Sequence, residues 1–271
     1  MQRWQAPLGL YTTVAAGSRR RRVRALLKVA GRVGLDMLLP PSCVWCGVDL
    51  RHVRDRIFLC RRCRQTFLCW QGPVCLRCGC EVAGSPDSTV ADCVNCRREK
   101  FRFATVFPLA PYRDEPRAAI LAMKHAGAFP LAQALGRLLW KCRRRRLLEF
   151  APEVVVPVPM HWTRRMRRGT NSPETVSESL AQNLRVAWPL RALTRARATR
   201  RQTDLAPGRR FHNVRGAFRV SSRGDLAGRR VLLVDDVLTT GATCSEASRV
   251  LLEAGAAEIA VAVIARAAPW Q

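Results

Sequence analysis

Acidic residues and aromatic side chains are both scarce in this chain of 271 residues. It has 20 aspartates and glutamates against 47 lysines and arginines, a formal net charge of +27. This balance excludes a predominantly acidic surface and favours a polyanionic partner such as nucleic acid. Aromatic residues make up only 7% of the chain and its tryptophans are scattered, which argues against a continuous stacking track for bases. We therefore expect nucleic acid contact, if any, to be weak and salt-sensitive.

Long apolar runs are missing as well. No uninterrupted apolar stretch reaches the roughly 18–20 residues that a membrane helix requires, so we predict no membrane span. Hydrophobic residues still amount to 48% and charged residues to 25%, which is typical of a globular chain and not of a disordered one. The length allows one sizeable core with a small accessory domain.

Residues 1–39 are predicted to be a basic N-terminal extension with an amphipathic helix. The first 35 residues contain no acidic residue, and apolar side chains between Val23 and Val33 recur at helical spacing. An organellar transit peptide has similar chemistry. The simpler interpretation is a frayed extension that leads into a short packing helix.

Eight of the twelve cysteines form four CxxC pairs that follow one another along the chain. Two cysteines at this spacing can bind one metal ion, and two such pairs supply the four thiolates of a tetrahedral zinc site. The predicted zinc ligands are Cys43, Cys46, Cys60, Cys63, Cys75, Cys78, Cys93 and Cys96. The spacing leaves open whether neighbouring pairs share an ion or cross over.

Residues 40–100 are accordingly predicted to form a double zinc-ribbon module. Four thiolates leave no open position for a substrate, which favours structural zinc over a catalytic metal; redox chemistry of the CxxC pairs is the alternative. Metal binding of roughly 10–16 kcal/mol per site would largely decide whether the module folds. The other cysteines are interpreted as buried or idle thiols: Cys69, Cys80, Cys142 and Cys244.

From Phe101 onward, short β-branched runs alternate with helical patterns. Strands are predicted at 153–159, 229–236 and 258–266, and helices at 130–148 and 172–184. This alternation predicts an α/β domain over residues 101–268, with a mostly parallel sheet flanked by helices. Ligands of such sheets bind at the carboxyl ends of the strands. The four arginines at 143–146 are interpreted as a solvated helix face.

The stretch from Arg229 to Ser248 carries the strongest functional signal. Its apolar strand ends in Asp235 and Asp236, and a loop of threonines with one glycine leads into a helix. Backbone N–H groups of such a loop, together with the helix N-terminus, favour an anion. Carboxylates accept hydrogen bonds from sugar hydroxyls or hold them through Mg²⁺. The predicted ligand is therefore a ribose 5-phosphate.

The sequence VLLVDDVLTTGAT resembles the signature of type I phosphoribosyltransferases, which bind phosphoribosyl pyrophosphate. The resemblance implies the fold of that family and places the ribose hydroxyls against Asp235 and Asp236. It also implies that the following loop binds the 5-phosphate through Thr239, Thr240, Gly241, Ala242 and Thr243. Mg²⁺ is expected to accompany the pyrophosphate.

Cysteine quartets ahead of such a domain resemble the ComF family of double-zinc-ribbon, phosphoribosyltransferase-like proteins. The similarity covers residues 37 to 267 and includes Lys124 in AILAMKHAG and Arg168 after the PVP sequence at 157–159. Residues 199–218 resemble the mobile segment of the family. A departure follows Arg168, where Thr170 replaces an expected aromatic residue, so the resemblance assigns no base recognition there.

The resemblance implies pentosyl transfer at the anomeric carbon of the ribose. Asp235 and Asp236 would hold the sugar, while Lys124 and Arg168 would neutralise the departing pyrophosphate, which makes these four the candidate catalytic residues. His125 and His161 lie near the proposed site in sequence, without a feature that assigns either a role. Fold analogy supports binding better than catalysis, so the acceptor base and the transfer itself are left open.

The predicted function is binding of phosphoribosyl pyrophosphate or ribose 5-phosphate with Mg²⁺, in bacterial DNA uptake and natural transformation. The resemblance implies a cytoplasmic protein with a DNA-uptake helicase as a partner, and the zinc ribbons and positive charge favour single-stranded DNA as a further partner. The alternative is a zinc-dependent single-stranded nucleic-acid-binding protein without transferase activity, favoured by the zinc ribbons and the RRRR runs at 19–22 and 143–146. Loss of nucleic acid binding between about 50 and 200 mM salt would support backbone contact.

Overall fold

The computed structural model describes residues 40–50, 55–70, 72–83, 93–94, 96, 101–125, 127–160, 171–199, 207–221 and 226–268. The helix predicted within 1–39 lies outside these residues, and so do Arg168 and His161.

The described helices and strands alternate along the second part of the chain. The helices are α1 (Arg61–Phe67), α2 (Asp114–Ala122), α3 (Phe129–Phe150), α4 (Ser172–Leu184), α5 (Pro207–Val214) and α6 (Ala242–Glu253). The strands are β1 (Thr105–Pro111), β2 (Val154–Pro157), β3 (Leu193–Arg195), β4 (Phe218–Val220), β5 (Arg230–Leu238) and β6 (Glu258–Arg266).

Four strands form one parallel sheet in the order β1-β6-β5-β2. Their sequences are nearly continuous apolar runs, as strands covered on both faces require. In the register, Leu233 of β5 pairs with Val261 of β6 and Val155 of β2 pairs with Leu232 of β5. The predicted α/β class with a mostly parallel sheet is confirmed. β5 extends beyond the predicted strand end because pairing with β6 continues to Leu238.

Two hydrophobic cores lie on opposite faces of this sheet. Successive residues of a strand point to opposite faces, so Leu232 packs with α3 and α4, whereas Leu233 packs in the core that includes α6. α3 and α4 contact each other closely at Gly136. The short β3 and β4 form a separate antiparallel pair, with Leu193 opposite Val220.

The cysteine-rich module covers β1, which is the edge strand of the sheet. The Trp70 indole N–H donates to the carbonyl of Leu109 at 2.9 Å, and the Val106 N–H donates to the carbonyl of Leu76 at 3.3 Å. The first cysteine quartet contributes to the core with α3, and the second contributes to the core with α6. The module thus straddles the edge and removes the unpaired strand edge from solvent.

The arginine run at 143–146 is only partly solvated, so its interpretation as a solvated face is wrong for two of its members. Arg143 Nε donates to the carbonyl of Pro108 at 2.7 Å. The guanidinium of Arg146 lies 5.0 Å from the centre of the Phe107 ring and donates to Thr105 Oγ1 at 3.1 Å. These side chains lie between α3 and β1, where carbonyl and ring faces replace water.

The described helices include none that is both long enough and apolar enough to span a bilayer.

Substitution of Gly136 by valine should separate α3 from α4. A Cβ at this position would lie 3.0 Å from Ser179 Cβ and 3.3 Å from Val176 Cα. We expect Gly136→Val to lower the free energy of unfolding by about 1–3 kcal/mol through overpacking, measured by urea denaturation. Cys142→Val, at an exposed position of the same helix, is the matched control. Equal losses in the two variants would contradict the packing argument.

Candidate functional site

Asp235 and Asp236 lie near the carboxyl end of β5 and are both half-buried. Asp235 Oδ1 accepts a hydrogen bond from the Asp236 N–H at 2.8 Å, and Asp236 Oδ1 accepts one from the Val237 N–H at 2.8 Å. The Cys244 thiol points to Asp235 Oδ2 at 3.8 Å. These bonds to neighbouring backbone fix the orientation of both carboxylates.

The electrostatics of the pair favour a cationic or hydrogen-bond-donating ligand. Burial raises the pKa of Asp235 well above its ordinary value, and the adjacent Asp236 carboxylate raises it further. The Asp236 N–H and the Arg195 guanidinium of β3 oppose this rise in pKa. Burial also raises the pKa of Cys244, and the Asp235 charge adds to that rise, so this thiol stays protonated. A divalent cation or sugar hydroxyls at the carboxylates would relieve the repulsion.

The loop after β5 ends at the N-terminus of α6, which begins at Ala242. Thr239 and Thr240 are half-buried, and Thr240 Oγ1 accepts a long hydrogen bond from the Ala242 N–H at 3.4 Å. Of the predicted phosphate-loop residues, Ala242 and Thr243 belong to the first helical turn. The free N–H groups and dipole of a helix N-terminus attract anions, so loop and helix can bind a phosphate together.

Position 241 requires a glycine for two reasons, which are its backbone conformation and the close approach of the Phe101 ring. Its φ of 83° lies in the left-handed region, and a Cβ there would come within 2.7 Å of Phe101 Cε1. Phe101 stacks on Phe103 with ring centroids 4.8 Å apart. The loop backbone therefore rests directly on an aromatic pair, and a side chain at 241 would push it away.

The remaining predicted catalytic residues are not brought to the aspartates by any described contact. Lys124 is half-buried in the turn after α2, and its ammonium forms no hydrogen bond or ion pair with another described residue. His125 follows it and is exposed. Arg168 and His161 belong to the part of the chain that is not described.

The cysteine quartets pair sequentially, which answers the question that the spacing left open. Within each quartet the ligand atoms lie within 4.8 Å of one another. Two sulfur–sulfur distances in the second quartet are 3.6 Å for Cys75 with Cys96 and 3.5 Å for Cys78 with Cys93. Four thiolates at the Zn–S bond length lie about 3.8 Å apart in a tetrahedron. The residues fit structural zinc in both quartets.

Several residues near the site were missed by sequence reasoning. Arg266, the last residue of β6, is 4% exposed and donates to the carbonyls of Leu238 and Thr239 at the start of the loop. The charge of Arg195 in β3 lowers the pKa of Asp235 and is the second of these residues. The only sequence signal for Arg266 is a charge that ends an apolar strand.

A cavity of about 540 Å³ lies beside the first turn of α6. Three arginines contribute to its lining, with Glu246, Phe211 and His212: Arg102, Arg215 and Arg249. Arg249 forms salt bridges with Glu246 at 2.7 Å and with Glu253 at 2.6 Å, so part of the positive charge is neutralised.

Gly241→Ala should destabilise the protein more than a glycine substitution with the same backbone strain. Gly127 has a φ of 84° but nothing within 4 Å of a Cβ, so Gly127→Ala is the matched control. We expect both variants to lose about 1–2 kcal/mol from the left-handed conformation, and Gly241→Ala to lose a further 1–3 kcal/mol, roughly, from the clash with Phe101. Thermal denaturation measures the difference. Indistinguishable losses would show that Phe101 yields freely.

The raised pKa of Asp235 makes a prediction about stability against pH. Because the folded-state pKa is raised, the contribution of this carboxyl is fully present below its ordinary pKa of 3.8 and is lost as the pH rises through the folded-state value. Asp235→Asn should therefore exceed the wild type in free energy of unfolding at about pH 8, with the difference shrinking toward about pH 4. Urea denaturation across this range provides the measurement. Glu258→Gln, which removes a charge from an exposed position, is the control. A difference in free energy of unfolding between Asp235→Asn and the wild type that does not change with pH would contradict the raised pKa of Asp235.

Two family models match this chain. The family model for the phosphoribosyl transferase domain matches residues 125–269, and the model for the double zinc ribbon domain matches residues 34–97. A solved structure of glutamine phosphoribosylpyrophosphate amidotransferase from B. subtilis aligns at 24% identity and a TM-score of 0.32, covering 50% of this chain and 26% of its own.

Two curated relatives cover most of the chain. Competence protein F of Haemophilus influenzae is 30% identical over 230 residues, which are 83% of this chain and 96% of the relative. DNA utilization protein YhgH of Escherichia coli K12 is 30% identical over 222 residues, which are 77% of this chain and 96% of the relative. With a double zinc ribbon ahead of a phosphoribosyl transferase domain, the chain belongs to the family of Competence protein F, as its resemblance to the ComF family implied.

Proposed function

We propose that the protein binds phosphoribosyl pyrophosphate or ribose 5-phosphate, with Mg²⁺, at the carboxyl end of β5. One observation carries the proposal: the Asp235–Asp236 pair and the N-terminus of α6 lie on either side of a single short loop. Such a site offers acceptors for a diol and donors for a phosphate. A ribose phosphate carries both groups and could satisfy each side.

The roles of the residues follow from their chemistry. Backbone N–H groups at Gly241 and Ala242 and the hydroxyls of Thr239 and Thr240 would bind the 5-phosphate. The two aspartates would accept hydrogen bonds from the ribose hydroxyls. Because the pKa of Asp235 is raised, ligand or cation binding there should release a proton to the solvent. Mg²⁺, when bound, supplies the charge that neutralises the pyrophosphate oxygens.

Lys124 and Arg168 are proposed to stabilise the pyrophosphate as it departs, with Arg195 as an additional cation near Asp235. Pentosyl transfer would break the bond from the anomeric carbon to the pyrophosphate and form one to an acceptor base. The described residues support binding of the phosphoribosyl donor and suggest no particular acceptor.

The relatives suggest the biological setting. One is named Competence protein F and others are named DNA utilization protein, which supports a role for this chain in the uptake and use of DNA. The formal net charge of +27 supports contact with a single-stranded DNA backbone. We propose that strand ends and ribose phosphates occupy the same site, because each presents a sugar next to a phosphate.

The test is calorimetric titration of the zinc-loaded protein with phosphoribosyl pyrophosphate and Mg²⁺. We expect a dissociation constant in the micromolar range, about −8 kcal/mol, and loss of at least about 100-fold in affinity in the double variant Asp235→Asn, Asp236→Asn. The double variant Glu149→Gln, Glu258→Gln removes the same charge at exposed positions and should bind normally. Absence of binding by the folded wild type would overturn the proposal.

Competition by single-stranded DNA tests the proposal that strand ends and ribose phosphates occupy the same site. A short oligonucleotide should displace the phosphoribosyl ligand, and its own affinity should fall steeply between about 50 and 200 mM salt. Simultaneous binding of both ligands would place the DNA elsewhere on the basic surface. Measurements at constant Mg²⁺ separate displacement from competition for the cation.

A further inference from the structure

A buried arginine connects the second cysteine quartet with the loop after β5. Arg266 Nε donates to the carbonyl of Cys78 at 2.8 Å, and Nη1 donates to the carbonyl of Leu238 at 2.9 Å. Nη1 also donates to the carbonyl of Thr239. One rigid, planar group therefore links the backbone of a predicted zinc ligand to the first residues of the proposed phosphate loop.

The charge of Arg266 has no carboxylate partner within the described part of the chain. The residue is 4% exposed, and burial of an unpaired charge is costly. A zinc ion bound by four thiolates would carry a net charge of roughly −2, and Cys78, whose carbonyl accepts from Arg266, is one of its four predicted ligands. Metal loading would therefore supply the counter-charge that the guanidinium otherwise lacks.

A second contact reaches the loop from the same module. Phe101 follows the last cysteine of the quartet in sequence and shares a core with Cys75, Cys78 and Cys96. Its ring lies against the backbone of Gly241. The loop is thus held at its start by Arg266 and at its end by Phe101, and both supports belong to the surroundings of the second quartet.

We propose that Arg266 is a positioning residue that couples the second zinc site to the phosphate loop, so that metal loading of this site holds Leu238–Gly241 in the conformation described here. Zinc fixes the turn from Cys75 to Cys78, the turn fixes the Cys78 carbonyl, and the guanidinium transmits this position to the loop carbonyls. The first zinc site packs on the opposite face of the sheet and has no such connection among the described residues. The consequence for ligand affinity rests on the proposed function; the coupling itself does not.

Hydrogen exchange of the full-length, zinc-loaded protein without any phosphoribosyl ligand tests the coupling. Arg266→Lys keeps the charge but cannot span three carbonyls, so amides of residues 238–247 should exchange about tenfold faster or more. Amides of β5 and β6, from Val231 to Val234 and from Ile259 to Val263, should keep their protection. Arg230→Lys, at the opposite end of β5, is the control and should leave the loop unchanged. Unchanged loop exchange, or equal acceleration in the strands, would overturn the proposal.

A pair of ligand variants separates the two zinc sites. Cys63→Ser and Cys96→Ser alter buried ligands of the first and second quartets, and each should lower the zinc content from two ions toward one. Only Cys96→Ser should accelerate exchange in residues 238–247. Equal rates of hydrogen exchange in the loop of the two variants would contradict the proposed coupling. Because coupling is reciprocal, Arg266→Lys should also release one of its two zinc ions faster to a chelator.

Addition of ribose 5-phosphate distinguishes failure of this inference from failure of the proposed function. If the loop of the wild type shows no protection by the ligand, yet Arg266→Lys still accelerates its exchange, the coupling holds and the ligand assignment fails. If the ligand protects the loop equally in both proteins and exchange without ligand is also equal, the ligand assignment holds and the coupling fails.

Discussion

The parallel sheet has an unpaired edge at β1, and most of the architecture follows from how that edge is covered. A small cysteine-rich module cannot bury enough apolar surface to fold alone, but two zinc sites can supply the missing free energy. The module then places one quartet on each side of the edge strand, where its side chains extend both cores. The metal sites, the protection of the strand edge and the packing of the phosphoribosyl transferase domain are consequently parts of one structure.

A second constraint on the fold, besides the strand edge at β1, is found at the candidate site, where a buried strand ends in two carboxyl groups. At the end of an apolar strand these half-buried carboxyls are only partly solvated and lie next to each other, and both effects raise the pKa of Asp235. This arrangement costs stability in the free protein, and under the proposed function the binding of a cation or of hydroxyl donors at the carboxylates would offset that cost. Strain of this kind is expected where a site is built for a ligand and not for stability.

Much of this arrangement could be predicted from the sequence, because the relevant signals are local. The apolar runs predicted the parallel strands, and the CxxC spacing predicted the metal ligands. The Asp235–Asp236 pair, followed by Gly241, predicted the loop. Contacts between distant segments could not be predicted from the sequence. These contacts are the sequential pairing of the quartets, the inward-facing side chains of Arg143 and Arg146, and above all the burial of Arg266. A charged residue that ends a strand is normally interpreted as a sign of exposure, and only the packing of Cys78 against β6 shows that it is buried.

The loop after β5 is proposed to bind a phosphate, and such a loop has to be flexible enough to admit the anion and fixed enough to present its N–H groups together. In this protein the loop lacks a side chain at Gly241 and rests on the ring of Phe101, while its first carbonyls are held by Arg266. Both contacts restrict the loop backbone. In the proposed coupling, the geometry of the loop depends on zinc–thiolate bonds, which are stronger than ordinary packing contacts. A zinc site whose four thiolates leave no position for a substrate could therefore still affect ligand binding, because it lies next to the loop that is proposed to bind the phosphate.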